Sequence, residues 1–164
     1  MAEESTSASM TLSYLLAGNH RFTQGKAKHA LQDVHTRESL VNEQHPHAAI
    51  LSCADSRVPP EIIFDCGLGE LFTVRNAGTI IEDDALASLE YAVEQVHVNL
   101  IIIMGHQNCS ALTKAVRDAE NFSLEELHQS SSIITKTLSY TLETAQEAEV
   151  DDINEIEYIH IAKT

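Results

Sequence analysis

Apolar positions along the chain fall into short runs and helical stripes that alternate. Residues 10–22 carry Met10, Leu12, Leu15 and Leu16 with no proline, which predicts a helix ending near Gly18. A polar stretch follows to Pro46, and then "HAAILSC" (47–53) is a short apolar run that predicts a buried strand. "PPEIIFDCG" (59–67) predicts a short helix with proline in its first turn. In "ELFTVRNAG" (70–78), Leu71, Thr73 and Arg75 alternate with Phe72 and Val74, a strand ended by Gly78. The clearest amphipathic helix is "EDDALASLEYAVEQV" (82–96), whose Leu86, Leu89, Val93 and Val96 predict the buried face. "NLIIIMG" (99–105) predicts a central parallel strand, and "CSALTKAVRDAE" (109–120) a helix. Ser123 and Glu126 have capping-box spacing, from which a long helix is expected to run to about Glu149.

Strands that are apolar throughout and alternate with helices define an α/β fold with a mostly parallel central sheet flanked by helices. Residues 1–9 are expected to form a disordered tail and 10–164 a single domain, the 164 residues sufficing for one core and not two. In such sheets the sites lie beyond the carboxyl ends of the strands.

Composition narrows the function. The formal charge is -15, which argues against nucleic acid and anionic membrane surfaces, since both call for clustered Lys and Arg. Acid is densest late in the chain: residues 120–164 hold 10 of the 25 acidic residues and 2 of the 10 basic ones. No apolar stretch approaches the roughly 18 residues of a membrane span. The start, "MAEESTSASM", has no secretory pattern, and three cysteines do not suggest a disulfide framework. A reducing, cytoplasmic setting is expected.

Two strand ends carry chemistry. "ILSCADSRVPPE" places Cys53 where an apolar run meets a polar turn, and "IIIMGHQNCSAL" places His106 and Cys109 in the same situation. Two thiols and an imidazole are a zinc donor set, and three protein ligands are what a catalytic zinc uses. A Cys/His nucleophile pair is the competing chemistry, although it leaves the second thiol without a task. Cys53 alone reads equally well as a small core residue. Cys66, in "FDCGLG", reads as packing. Asp55 and Arg57, two apart after Cys53, can form an ion pair at the mouth of such a site.

"CADSRVPPE", "GELFTVRNAG", "SLEYAV" and "GHQNCSAL" resemble, in order and spacing, the signature blocks of the beta-class carbonic anhydrases over roughly residues 12–117. The resemblance implies zinc held by Cys53, His106 and Cys109, with Asp55 and Arg57 as the catalytic dyad. It also implies reversible hydration of carbon dioxide to bicarbonate and a proton. "EQHPHAAILSC" is similar to the family's approach to the first ligand strand, so Gln44 matches an active-site glutamine at a dimer interface. A homodimer or higher even oligomer follows from this, with the amino-terminal helix embracing the partner.

The sequence departs from the family pattern at Ser110, where glycine is usual and a Cβ either crowds the backbone or is absorbed by a small adjustment, and at Thr79, where asparagine is common and the change reads as mild. The resemblance thins after Ala119. The family's later strand and closing segment are expected to be absent, since the isoleucines at 153, 156 and 159 form a stripe with nothing after it. Two alternatives to carbon dioxide hydration stand beside it. One is a catalytically impaired or inactive structural relative, and the other is a carbon disulfide or carbonyl sulfide hydrolase on the same fold.

Overall fold

The computed structural model describes residues 7–119 together with 123, 125, 126 and 129. Its elements are α1 (Ala8–Thr23), α2 (Val34–Ser39), β1 (Ala48–Cys53), α3 (Pro60–Ile63), β2 (Leu71–Asn76), α4 (Asp83–Glu94), β3 (Ile101–Met104) and α5 (Ser110–Ala119). The sheet is parallel, in the order β2-β1-β3. The long helix expected to reach Glu149 and the isoleucine stripe lie outside the described residues. The capping box itself is present: Glu126 N–H donates to Ser123 Oγ at 3.3 Å, and Ser123 N–H donates to the Glu126 carboxylate at 2.8 Å.

β1 is buried at every position, so its alternation divides two apolar layers rather than core from solvent. Ala48 and Ile50 pack with Leu15 of α1, Phe64, Cys66 and Leu71. Ala49 and Leu51 pack with Ala85, Leu89 and Ala92 of α4. Helices therefore cover both faces of the sheet, and the ends of β1 and β3 are left to the loops.

Three expectations are corrected. The first helix starts at Ala8 with Ser7 as its N-cap, and it passes through Gly18 to Thr23. Gly18 serves close approach: a Cβ there would lie 1.8 Å from the carbonyl oxygen of Phe64. The buried stripe of α4 is Ala85, Leu89 and Ala92, while Leu86 and Val93 are 46% and 43% exposed. Alanines let a helix lie close over a sheet, so the smaller stripe wins the contact. Among the described residues β3 pairs in parallel with β1, which lies between β2 and β3. Finally, Thr79 has φ +58 and is buried. A β-branched residue in the left-handed region is strained, so replacing asparagine there is not mild. The other departure, Ser110, opens α5 with an exposed side chain and no left-handed backbone, and its Cβ is accommodated.

Candidate metal centre

Cys53 ends β1, where the chain leaves the sheet after one last ladder bond, from Ala54 N–H to Asn76 O at 2.8 Å. The turn that follows closes through Val58 N–H to Asp55 O at 3.2 Å. Pro59, in extended backbone, then starts α3, with Pro60 at its first position. On the neighbouring strand the chain passes from Met104 through His106 to Asn108. Asn108 has φ +56, a backbone conformation that asparagine tolerates better than most residues. That turn delivers Cys109 to the start of α5, where its carbonyl accepts the N–H of Thr113 at 2.9 Å.

Ligand atoms of Cys53, His106 and Cys109 all lie within 4.8 Å of one another. The two sulfurs are 3.9 Å apart; two thiolates at tetrahedral zinc, with Zn–S about 2.3 Å, stand about 3.8 Å apart. Both thiols are buried, packed with Val58 and Leu112.

His106 shows the same fit. Its Nε2 is buried without a hydrogen-bond partner, while its Nδ1 lies 3.1 Å from the carbonyl oxygen of Gln107. Arg57 Nη2 lies 3.3 Å from the same Nδ1, so that nitrogen is engaged from both sides, and Nε2 is the ring nitrogen left to bind a metal. These three residues form a candidate metal-binding site, and its donor set suits zinc. A Cys/His nucleophile pair would give no reason for the second thiol at 3.9 Å.

Asp55 and Arg57 stand at the mouth. Arg57 Nε and Nη2 donate to the two carboxylate oxygens of Asp55 at 2.9 and 2.8 Å, and Arg57 N–H adds a third bond at 2.8 Å. These bonds hold the Asp55 carboxyl far below the usual carboxylate range. Asp55 is thereby ionised, and its carboxylate is not among the converging ligand groups. Arg57 Nη2 also donates to Asn108 O at 3.1 Å, joining the two loops that carry the thiols.

Burial pushes the Cys109 thiol up, and nearby Cys53 adds to this, while the backbone N–H groups of Leu112 and Ala111 act in the opposite sense. Asp55 N–H points at Cys53 Sγ, 3.4 Å away. Burial pushes the Cys66 thiol, elsewhere in the core, up to about 12. It packs beside Phe64, as a core residue should.

Gln44 is placed elsewhere. It precedes β1, at the opposite end of the strand from Cys53, and lines a cavity with Leu40, Val41, Tyr91, Gln95 and Val96. A six-residue strand spans about 20 Å, so Gln44 does not meet the metal centre of its own chain.

One contact escaped the reading of the sequence. Arg75 of β2 donates from Nε to Cys53 O at 3.1 Å and from Nη2 to Asp55 O at 2.8 Å. The only signal was a charged residue in register with Leu71 and Thr73, on a strand face that is otherwise covered.

The family model for carbonic anhydrase matches residues 48–163. The chain is 48% identical over 102 residues to Carbonic anhydrase 2 of Mycobacterium tuberculosis, covering 62% of this chain and 49% of that protein. It is 46% identical over 95 residues to the carbonic anhydrase of Mycolicibacterium smegmatis, covering 58% and 46%. It thus spans about half the length of these curated relatives. Among solved structures, the beta-carbonic anhydrase CcaA superposes with a TM-score of 0.61 at 26% identity, covering 93% of this chain and 74% of that one. The Coccomyxa enzyme superposes with a TM-score of 0.62 at 24% identity, covering 92% and 66%, and shares the fold. With its parallel sheet, its Cys-His-Cys cluster and a family match over most of its length, this chain belongs to the beta class of the carbonic anhydrase family.

Proposed function

We propose that the chain catalyses the zinc-dependent, reversible hydration of carbon dioxide to bicarbonate and a proton. The observation that carries this reading is the convergence of Cys53, His106 and Cys109, together with the buried Nε2 of His106, which has no hydrogen-bond partner. In this reading those three residues hold the metal, within one domain comprising residues 10–164. Zinc bound there supplies the acidity that turns water into a nucleophile near neutral pH.

The remaining work belongs to the protein. Asp55, kept ionised by Arg57, accepts a hydrogen bond from the attacking oxygen at its carboxylate and so aims a lone pair at the carbon of carbon dioxide. Arg57 fixes the direction of that acceptor, since both its side-chain bonds to Asp55 come from one planar fork. The apolar side chains of Val58 and Leu112 beside the thiols limit competing water.

The working unit in this reading is a homodimer or a higher even oligomer. Gln44 stands too far from its own metal centre to act there, so a role in substrate positioning requires the centre of a partner. The exposed Met10, Leu12 and Leu16 of α1 offer the apolar surface for such a contact. No helix among the described residues is long and apolar enough to cross a membrane, and three free cysteines agree with a cytoplasmic, reducing setting.

The test is elemental analysis of the purified chain combined with stopped-flow carbon dioxide hydration. One zinc per chain with rapid hydration is expected. Full zinc with no hydration would reassign the protein to a structural role, and hydrolysis of carbon disulfide in its place would reassign the substrate.

A further inference from the structure

The polypeptide between Cys53 and Arg57 carries both a thiol ligand and the ionised carboxylate, yet within it only Cys53 belongs to the sheet. Ala54 is exposed, and one backbone-to-backbone bond, from Val58 N–H to Asp55 O, closes the turn. A segment with so few ties of its own takes its shape from its neighbours. Arg57 grips the carboxylate and ties the turn to Asn108 O at 3.1 Å, but Asn108 lies on the other thiol-bearing loop, so this tie joins loop to loop and not the turn to the sheet.

Arg75 reaches the turn from the sheet. It lies on β2 opposite Ser52, one residue before the site of the last ladder bond. Its guanidinium spans two carbonyls of the segment, Cys53 O at 3.1 Å and Asp55 O at 2.8 Å. The two donors, Nε and Nη2, form one rigid edge of the guanidinium, so the separation and direction of the two carbonyls are set together. By strand alternation Arg75 stands on the face of α1 and α3, the opposite face from the Cys53 side chain. It therefore supports the segment from behind without occupying the metal centre.

Resting on the hydration reading of this centre, we propose that Arg75 is a positioning residue. By holding the Cys53 and Asp55 carbonyls it fixes the backbone from which Asp55 meets Arg57, and so the direction in which the Asp55 carboxylate faces the nucleophile. A second consequence is specific to the side chain. Lysine carries its charge on one nitrogen and has no rigid fork, so Arg75→Lys keeps the charge and loses the paired grip.

The primary test is amide hydrogen exchange in the zinc-loaded full chain. Arg57 N–H donates to Asp55 Oδ1 at 2.8 Å, so its protection reports where the carboxylate sits. In Arg75→Lys, exchange at Arg57 should speed up by about tenfold or more, while the amides of the β1–β2 ladder keep their protection. Unchanged exchange at Arg57 overturns the proposal, whatever the catalytic rate. Equal loss of protection throughout the sheet also overturns it, because Arg75 would then be supporting the fold at large.

The second test is a cycle of Arg75→Lys and Asp55→Asn, with zinc content and stopped-flow hydration both measured. Arg75→Lys alone should keep its zinc and lose about tenfold to a hundredfold in kcat, as a misplaced group does. In the Asp55→Asn background it should cost less than about twofold more, since the two substitutions then act on one interaction. Full additivity overturns the proposal. If the unmodified zinc-loaded chain hydrates no carbon dioxide, the hydration reading fails; the exchange arm still decides whether Arg75 holds the Asp55 segment.

Discussion

Cys109 illustrates how much one residue can be asked to do. It caps α5, donates a sulfur 3.9 Å from that of Cys53, and is buried against Leu112. Cys109→Ser should leave the helix start intact, because a serine caps as well, while tightly bound zinc falls well below one equivalent by elemental analysis. Retention of a full equivalent would show a different ligand set. Asp55→Asn separates holding the metal from using it. The variant should keep its zinc and lose most of the hydration rate, because an amide can turn an N–H toward the nucleophile where the carboxylate could only accept. Thr79, at φ +58, is a position where sequence and backbone conflict. Thr79→Asn should raise stability by about 1 kcal/mol in urea denaturation, the scale of the left-handed penalty. A loss would show that the bond from the Thr79 hydroxyl to Met104 O matters more.

Between elements, α1 meets the turn after α3 through two features of opposite chemistry. Gly18 permits contact with Phe64 O, and Gly18→Ala should cost about 3 kcal/mol through overpacking, read as a lower urea midpoint at unchanged slope. Beside it, Asp65 is buried and accepts from Arg21 Nε at 2.5 Å and from the N–H groups of Lys28 and His29 at 2.7 and 3.1 Å. Burial alone would push this carboxyl up; Arg21 and the two backbone donors outweigh it and hold it below the usual range. The unfolded chain therefore takes up the proton at a higher pH than the folded chain does. The contribution of Asp65 to stability is present above the unfolded value of about 4 and is lost as pH falls through the lower folded value. Stability measured from pH 7 downward should fall below about pH 4, and Asp65→Asn should lower stability at pH 7 and flatten that fall. An unchanged acid limb would remove Asp65 from the account.

For the whole molecule, the outer surfaces of α1 and α4 are the outstanding feature. Met10 is 63% exposed and Leu16 55%, and on α4 Leu86 and Tyr91 are 46% and 53% exposed. Apolar residues clustered in this way mark contact surfaces. Light scattering at micromolar concentration should give twice the 18.1 kDa chain mass or an even multiple of it. Leu16→Glu should shift the protein toward the monomer and reduce hydration if Gln44 serves a partner's centre. A fully active monomer would refute the shared site.

The parts legible in the sequence are those that depend on residues close together in the chain. β1 and β3 follow from unbroken apolar runs, α3 from its two prolines, and the three ligand residues and the Asp55–Arg57 pair from short spacings just beyond strand ends. The buried face of α4 was not legible, because two helical stripes overlap there and only the surface of the sheet selects the one with alanines. Gly18 reads as a stop signal until Phe64, 46 positions later, is found against it. The strain at Thr79, the grip of Arg75 on the Cys53 and Asp55 carbonyls, and the remoteness of Gln44 from its own metal centre are likewise results of folding. Local preference and chemical type are written along the chain, whereas close packing and backbone hydrogen bonds between distant segments exist only once those segments are assembled in space.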